Sequence, residues 1–228
     1  MTETVFLDAG GVLVNPNWSR VAESLHAHGV TVEPEALAAA DPHARRALDH
    51  PDNLRAAGDG SRGWLYLDLV LTRAGLFLSE KTGAALRELR EYHDRHNLWE
   101  SVPDEVPAAL KRLRGMGLRL AVVSNANGTV RSVFERIGLS PLVDLVLDSR
   151  EEGVEKPDPR FFALALSRMG ARAETTVHVG DLYEADVRGA RAAGIEPVLL
   201  DRAGLYPEAD CRRVGSLAAL ADWLEARE

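Results

Sequence analysis

The sequence predicts an α/β fold, a doubly wound parallel sheet with an inserted helical domain, and three features point to it. Short apolar runs stop abruptly at polar or glycine residues, as Val5-Phe6-Leu7 does at Asp8 and 118–123 does at Ser124. Runs without polar alternation suit strands buried on both faces, the condition of a parallel sheet. From Pro103 onward these runs alternate with amphipathic helical stretches, the texture of consecutive βα units. Between the first run and Pro103 lies a long stretch of helical periodicity without a convincing strand.

The first strand covers 5–7 and ends at Asp8, and Gly10 and Gly11 then break the pattern. Glycine takes positive φ at little cost and lets a ligand approach the backbone. Asn15-Pro16-Asn17 closes this opening loop. Inside the insert, Trp18, Val21, Leu25 and Val30 mark a first helix broken at Gly29. Residues 34–40 and 42–49 read as two alanine-rich helical pieces and 58–63 as a loop. An apolar helix follows over 64–74, then one over 81–99 with Leu86, Leu89, Leu98 and Trp99 on its apolar side.

Past Pro103, a helix over 105–115 turns Val106, Leu110 and Leu113 to one face. Strands are expected over 118–123, 142–147, 176–179 and 197–200, five in all with the first. Helices are expected over 129–137, 159–169, 184–193 and 216–226, and Asp158-Pro159 and Gly170 bound the second of these. The expected domains are a core of 1–15 with 100–228 and a helical cap of 16–99 over the ligand crevice.

At 228 residues the chain is long enough for a full core. A net charge of −8 argues against an extended nucleic-acid surface. The single Cys211 excludes an internal disulfide and fits a reducing compartment. No run approaches the roughly 18 apolar residues of a membrane span. The expectation is a cytoplasmic protein, monomer or homodimer, with neither membrane nor nucleic acid as partner. Leu65, Leu67 and Leu69 leave room for the dimer. Trp18, Trp64, Tyr66 and Trp99 read as cap core, and Arg45, Arg46 and Arg73 as solvated surface. His93 and His96 stand one helical turn apart but lack an acidic or Cys framework, so they too read as surface groups.

A parallel sheet puts every strand's carboxyl end on one edge, so Asp8, Ser124-Asn125 and Gly180-Asp181 converge there. Lys156 lies in a loop just ahead of a helix. A carboxylate at the position of Asp8 can be a nucleophile, a metal ligand or a turn cap. Asp8, Asp181 and nearby Asp186 would repel one another unless a divalent cation sat among them. Oxygen donors suit Mg²⁺ rather than zinc. A hydroxyl, an amide and a lysine together suit a phosphate or another oxyanion.

On these residues the whole chain resembles the haloacid dehalogenase-like hydrolases that carry a helical cap between their first two motifs. Phe6-Leu7-Asp8-Ala9-Gly10-Gly11-Val12-Leu13 is similar to the nucleophile motif, and Val122-Val123-Ser124-Asn125 to the second. Glu155-Lys156-Pro157-Asp158-Pro159 is similar to the third, and Val179-Gly180-Asp181 through Asp186 to the fourth. The resemblance implies hydrolysis of a small phosphorylated metabolite, with Asp8 as nucleophile forming an aspartyl-phosphate. It implies Ser124 and Lys156 as phosphate ligands, helped by the backbone amides of Gly11 and Asn125. It also implies Mg²⁺ held by Asp8, the Gly10 carbonyl and Asp181, with Asp186 adjusting the site. One position departs from the family pattern: a second Asp, the general acid for the leaving group, usually stands two residues after the nucleophile, and here that residue is Gly10. The carbonyl for the metal survives this change and the proton donor does not. Two other readings stand beside the phosphatase: a 2-haloacid dehalogenase, and a phosphometabolite-binding protein that has lost turnover.

Overall fold

The structure is a computed structural model that describes residues 1–50 and 62–227. The chain divides into two compact units, Met1–Asn15 with Trp99–Glu228, and Pro16–Leu98. The strands are β1 (Thr4–Leu7), β2 (Asn15–Pro16), β3 (Trp99–Ser101), β4 (Arg119–Ser124), β5 (Leu145–Asp148), β6 (Thr176–Gly180), β7 (Glu196–Leu200) and β8 (Arg212–Val214).

Among the described residues the first unit holds a six-stranded sheet in the order β5-β4-β1-β6-β7-β8. All of its pairings are parallel. β1 lies inside, with Leu7 opposite Val122 on one side and Val179 on the other. Its residues are wholly buried. Val5 and Leu7 join one apolar cluster, with Leu110, Leu113 and Leu220, while Phe6 joins the other, with Phe161 and Phe162. Alternation between two buried layers is why Val5, Phe6 and Leu7 are all apolar. The α/β class and the parallel sheet expected from the sequence are thus found.

Several boundaries differ from expectation. A sixth strand, β8, pairs with β7 although two of its three residues are exposed arginines, so no apolar run announced it. The strand expected over 142–147 begins only at Leu145, because Ser140–Leu142, with Pro141, forms a turn of 3₁₀ helix. The helix expected over 184–193 opens as a wide π turn at Tyr183–Val187 and tightens over Arg188–Ala192. A short helix at Ser149–Glu152 was not anticipated. Glu105–Gly115 and Pro159–Met169 form as expected.

The second unit consists, among its described residues, of helices Trp18–Ala27, Pro34–Leu48, Arg62–Arg73 and Glu80–His96. Asn17 caps the first, its Oδ1 accepting the Arg20 N–H at 3.1 Å. Pro34–Leu48 is one continuous helix, not two pieces. Pro42 leaves the Ala38 carbonyl without its usual partner, but the helix runs through it. The 58–63 loop expectation falls on 58–61 outside the described residues, and Gly63 lies inside a helix. The aromatics do pack within this unit: the Trp18 and Tyr66 rings are 6.4 Å apart. Arg45 is not a solvated charge, for its Nε donates to Asp41 Oδ1 at 2.8 Å, and the Tyr66 hydroxyl donates to the same oxygen.

The last helix of the insert stops at His96, not at Trp99. Asn97 takes a left-handed φ of 64°, which turns the chain out of the helix and sends Trp99 into β3. His93 holds that ending together. Its Nδ1 accepts the Leu98 N–H at 3.1 Å and its ring meets Trp64 edge-on at 6.1 Å, so it is not the solvated group expected. Burial lowers the His93 imidazole below its ordinary value, against a smaller upward pull from Asp94. The folded state therefore binds fewer protons than the unfolded one between that lowered value and about pH 6.5. The corresponding stability is complete above about pH 6.5 and is lost as the pH falls below it. Thermal melts should show a larger drop from about pH 7.5 to 5.5 in the wild type than in His93→Gln, whose amide oxygen keeps an acceptor that does not titrate. Equal drops would contradict this role.

Candidate active site

The site forms where β1, β4 and β6 end. The Asp8 N–H donates to Val179 O at 2.9 Å, so the β1–β6 ladder runs up to the carboxylate and fixes its backbone. Gly11 then adopts a φ of 78°, open to glycine at little cost, and its N–H closes a turn on Val14 O at 2.8 Å. That amide, expected to face the phosphate, is therefore already engaged within the turn.

Lys156 is the hub. It is 2% exposed, and its Nζ lies 2.9 Å from Asp8 Oδ1 and 2.7 Å from Asp186 Oδ1. A buried ammonium demands such partners, because burial without them costs several kcal/mol. Burial alone would lower its pKa, but Asp186 and Asp8 overcome that and hold it above the usual lysine range. Asp186 is equally buried. Burial would raise its carboxyl, but Lys156 and the hydrogen bond from His178 hold it well below the usual carboxylate range. Its Oδ1 also lies 2.9 Å from His178 Nε2, and its Oδ2 accepts the Leu182 N–H at 3.1 Å.

Sequence reasoning missed two members of this framework, His178 and Asp148, and the side-chain role of a third, Asn125. His178 sits in the middle of β6, wholly buried, with its ring edge-on to Phe162 at 4.9 Å. The one polar side chain within Val177-His178-Val179 was the available signal. Asp148, at the end of β5 opposite Ser124, accepts the N–H groups of Gly128 at 2.9 Å and Arg150 at 3.0 Å. It thereby fixes the loop that follows Asn125. Asn125 itself works through its side chain: Nδ2 donates to Lys156 O and Oδ1 accepts the Lys156 N–H, both at 2.8 Å. This two-way clamp ties the Lys156 loop to the end of β4. Ser124, the last residue of β4, is buried beside it in sequence.

Of the expected residues, Asp8, Lys156, Asp181 and Asp186 lie together. Asp8, Asp181 and Asp186 each offer a carboxylate oxygen within 4.8 Å of the others. Three carboxylates against the one ammonium of Lys156 leave an excess of negative charge that a divalent cation would balance. The donors are all oxygens, and the imidazole Nε2 nearest to them is taken by Asp186, so the set fits a hard cation such as Mg²⁺.

The family profile described as haloacid dehalogenase-like hydrolase matches residues 2–194. Human haloacid dehalogenase-like hydrolase domain-containing protein 3 is 34% identical over 193 residues, spanning 82% of this chain and 76% of that protein. Phosphoserine phosphatase of Thermus thermophilus is 41% identical over 134 residues, 58% of this chain and 53% of that enzyme. Among solved structures, the putative HAD-hydrolase YfnB from Bacillus subtilis, bound to magnesium, superposes with a TM-score of 0.72 at 16% identity, covering 98% of each chain.

Proposed function

The chain belongs to the haloacid dehalogenase-like hydrolases, and within them we propose that it is a Mg²⁺-dependent phosphatase of a small phosphorylated metabolite, with Asp8 as nucleophile. The observation that carries this reading is the buried Lys156, which meets Asp8 and Asp186 at one point. A carboxylate that must attack an anionic phosphate needs such a fixed cation to offset the repulsion. The similarity to a phosphoserine phosphatase supports the substrate class.

In this reading one Asp8 oxygen stays on Lys156 while the other attacks phosphorus in line with the leaving group. Ser124 and the backbone of Asn125 bind the phosphoryl oxygens, and Lys156 neutralises the developing charge. Gly11 serves by shaping the turn rather than as a donor. Asp8, the Gly10 carbonyl and Asp181 would hold Mg²⁺, with Asp186 closing the carboxylate group, and the ion would supply Lewis-acid neutralisation of the phosphate. Water then attacks phosphorus of the Asp8 acyl phosphate, breaking its bond to the Asp8 oxygen and releasing phosphate and the free carboxylate.

Hydrolysis of para-nitrophenyl phosphate tests this, because its leaving group hardly needs a proton. Turnover in Mg²⁺ that is lost with excess EDTA and restored by Mg²⁺ is the expected result. Halide release from a 2-haloacid with EDTA present, or no phosphate release from folded, Mg²⁺-loaded protein, would contradict it.

A further inference from the structure

Gly10 has a neighbour that the reaction scheme leaves unused. A Cβ built on Gly10 would lie 3.3 Å from Cδ1 and 3.4 Å from Nε1 of Trp99, which belongs to the same compact unit. The edge of the indole thus packs against the backbone two residues after the nucleophile and crowds even a Cβ at position 10. Trp99 packs on the cluster that contains Val5, Leu7, Val12 and Leu13, so the ring is backed by core.

The groups around Asp8 in this unit are otherwise committed. Lys156 is locked between Asp8 and Asp186, and His178 is wholly buried with its Nε2 on Asp186. Asp8 and Asp181 are assigned above to nucleophile and cation. The indole brings a single donor, an N–H that hydrogen-bonds but does not release its proton at neutral pH.

We propose that Trp99 takes the place of a general acid beside the nucleophile and makes the enzyme selective for phosphates whose leaving group departs as a stable anion: acyl, enol or aryl phosphates rather than alkyl phosphates. The inference rests on the phosphatase reading above. In the step, an Asp8 oxygen forms a bond to phosphorus as the bond from phosphorus to the leaving oxygen breaks. The electron pair stays on that oxygen, which leaves as a carboxylate, enolate or phenolate and takes any proton it needs from water afterwards. An alkoxide departing unprotonated forfeits the about 10²–10⁴-fold that general acid catalysis typically contributes.

The test is kcat/KM over a series of aryl phosphates of rising leaving-group pKa, ending with an alkyl phosphate such as glycerol 2-phosphate. A steep fall along the series, with the alkyl ester about 10²-fold or more below the aryl esters, is expected. Trp99→Phe, which keeps a ring in place, should retain that slope. Gly10→Asp with Trp99→Ala should flatten it and raise alkyl turnover at least about 10-fold, whereas Gly10→Asp alone should raise it less, since its Cβ would already press on the ring at 3.3 Å. A flat series in the wild type overturns the inference and leaves the phosphatase reading standing, and needs no variant to fold. No turnover anywhere in the series fails both.

Discussion

Replacing Lys156 by Met is expected to cost about 3–5 kcal/mol of stability, since it breaks a buried ion pair from one side and leaves its partner uncompensated. Asp186 is almost wholly buried, and after the change its hydrogen-bond partners among the described residues would be His178 and the Leu182 N–H. Such a loss is a large share of a typical domain's about 5–15 kcal/mol. Denaturant titration at neutral pH measures it, and adding Asp186→Asn should recover part of the loss by removing the stranded charge. Activity should not return in that double variant, because the cation beside Asp8 is still missing. The pH window follows from the two shifts. The raised Lys156 contributes fully below about pH 10.4 and loses its contribution as the pH climbs through its folded value. The lowered Asp186 contributes fully above about pH 3.9 and loses its contribution as the pH falls through its folded value. The contribution of this pair to wild-type stability should therefore be constant from about pH 5 to 9. Loss of less than about 1 kcal/mol would mean that the pair is not buried as described.

Gly180→Ala should be nearly as damaging. A Cβ at this position would lie 2.0 Å from Asp186 Cγ and 2.3 Å from its Cβ, so the new methyl and the carboxylate cannot both stay. Overpacking of this kind typically costs about 1–3 kcal/mol, occasionally more. The larger effect falls on catalysis, because displacing Asp186 unseats Lys156 from its position beside Asp8. kcat should fall on the order of 10²-fold or more, as a misplaced charge in a preorganised site does. A variant with wild-type kcat and stability would show that Asp186 does not depend on this glycine.

The same glycine shows what was legible in the sequence. An apolar run that stops at Gly180-Asp181 marks a strand end from composition alone, and likewise Leu7-Asp8 and Val123-Ser124-Asn125. Parallel topology then brings those ends to one edge, so Asp8, Ser124 and Asp181 could be grouped before any coordinates, and the family resemblance joined Lys156 and Asp186 to them. What stayed hidden depends on contacts between distant segments. His178 reads as an interruption in a strand until Asp186 is seen against it. Asn125 offers a side chain whose partner, the Lys156 backbone, lies 31 residues away. Asn97 ends its helix by a left-handed backbone that no neighbouring Gly or Pro announces, and the Trp99 placement was misread for that reason. β8 is held by backbone pairing to β7 rather than by apolar side chains, so periodicity carried no trace of it.

The most direct test of the account is capture of the phosphorylated enzyme. Wild-type protein would be mixed with Mg²⁺ and an aryl phosphate, quenched in acid within the burst, and digested at arginine. The peptide from Met1 to Arg20 contains Asp8 as its single aspartate. It should carry one phosphoryl group that hydroxylamine removes, the mark of an acyl phosphate. Asp8→Asn should give no labelled peptide and lose turnover on the order of 10⁴-fold or more while remaining folded. Label on another peptide, or turnover that survives in folded Asp8→Asn, would contradict the assignment of Asp8 as the nucleophile.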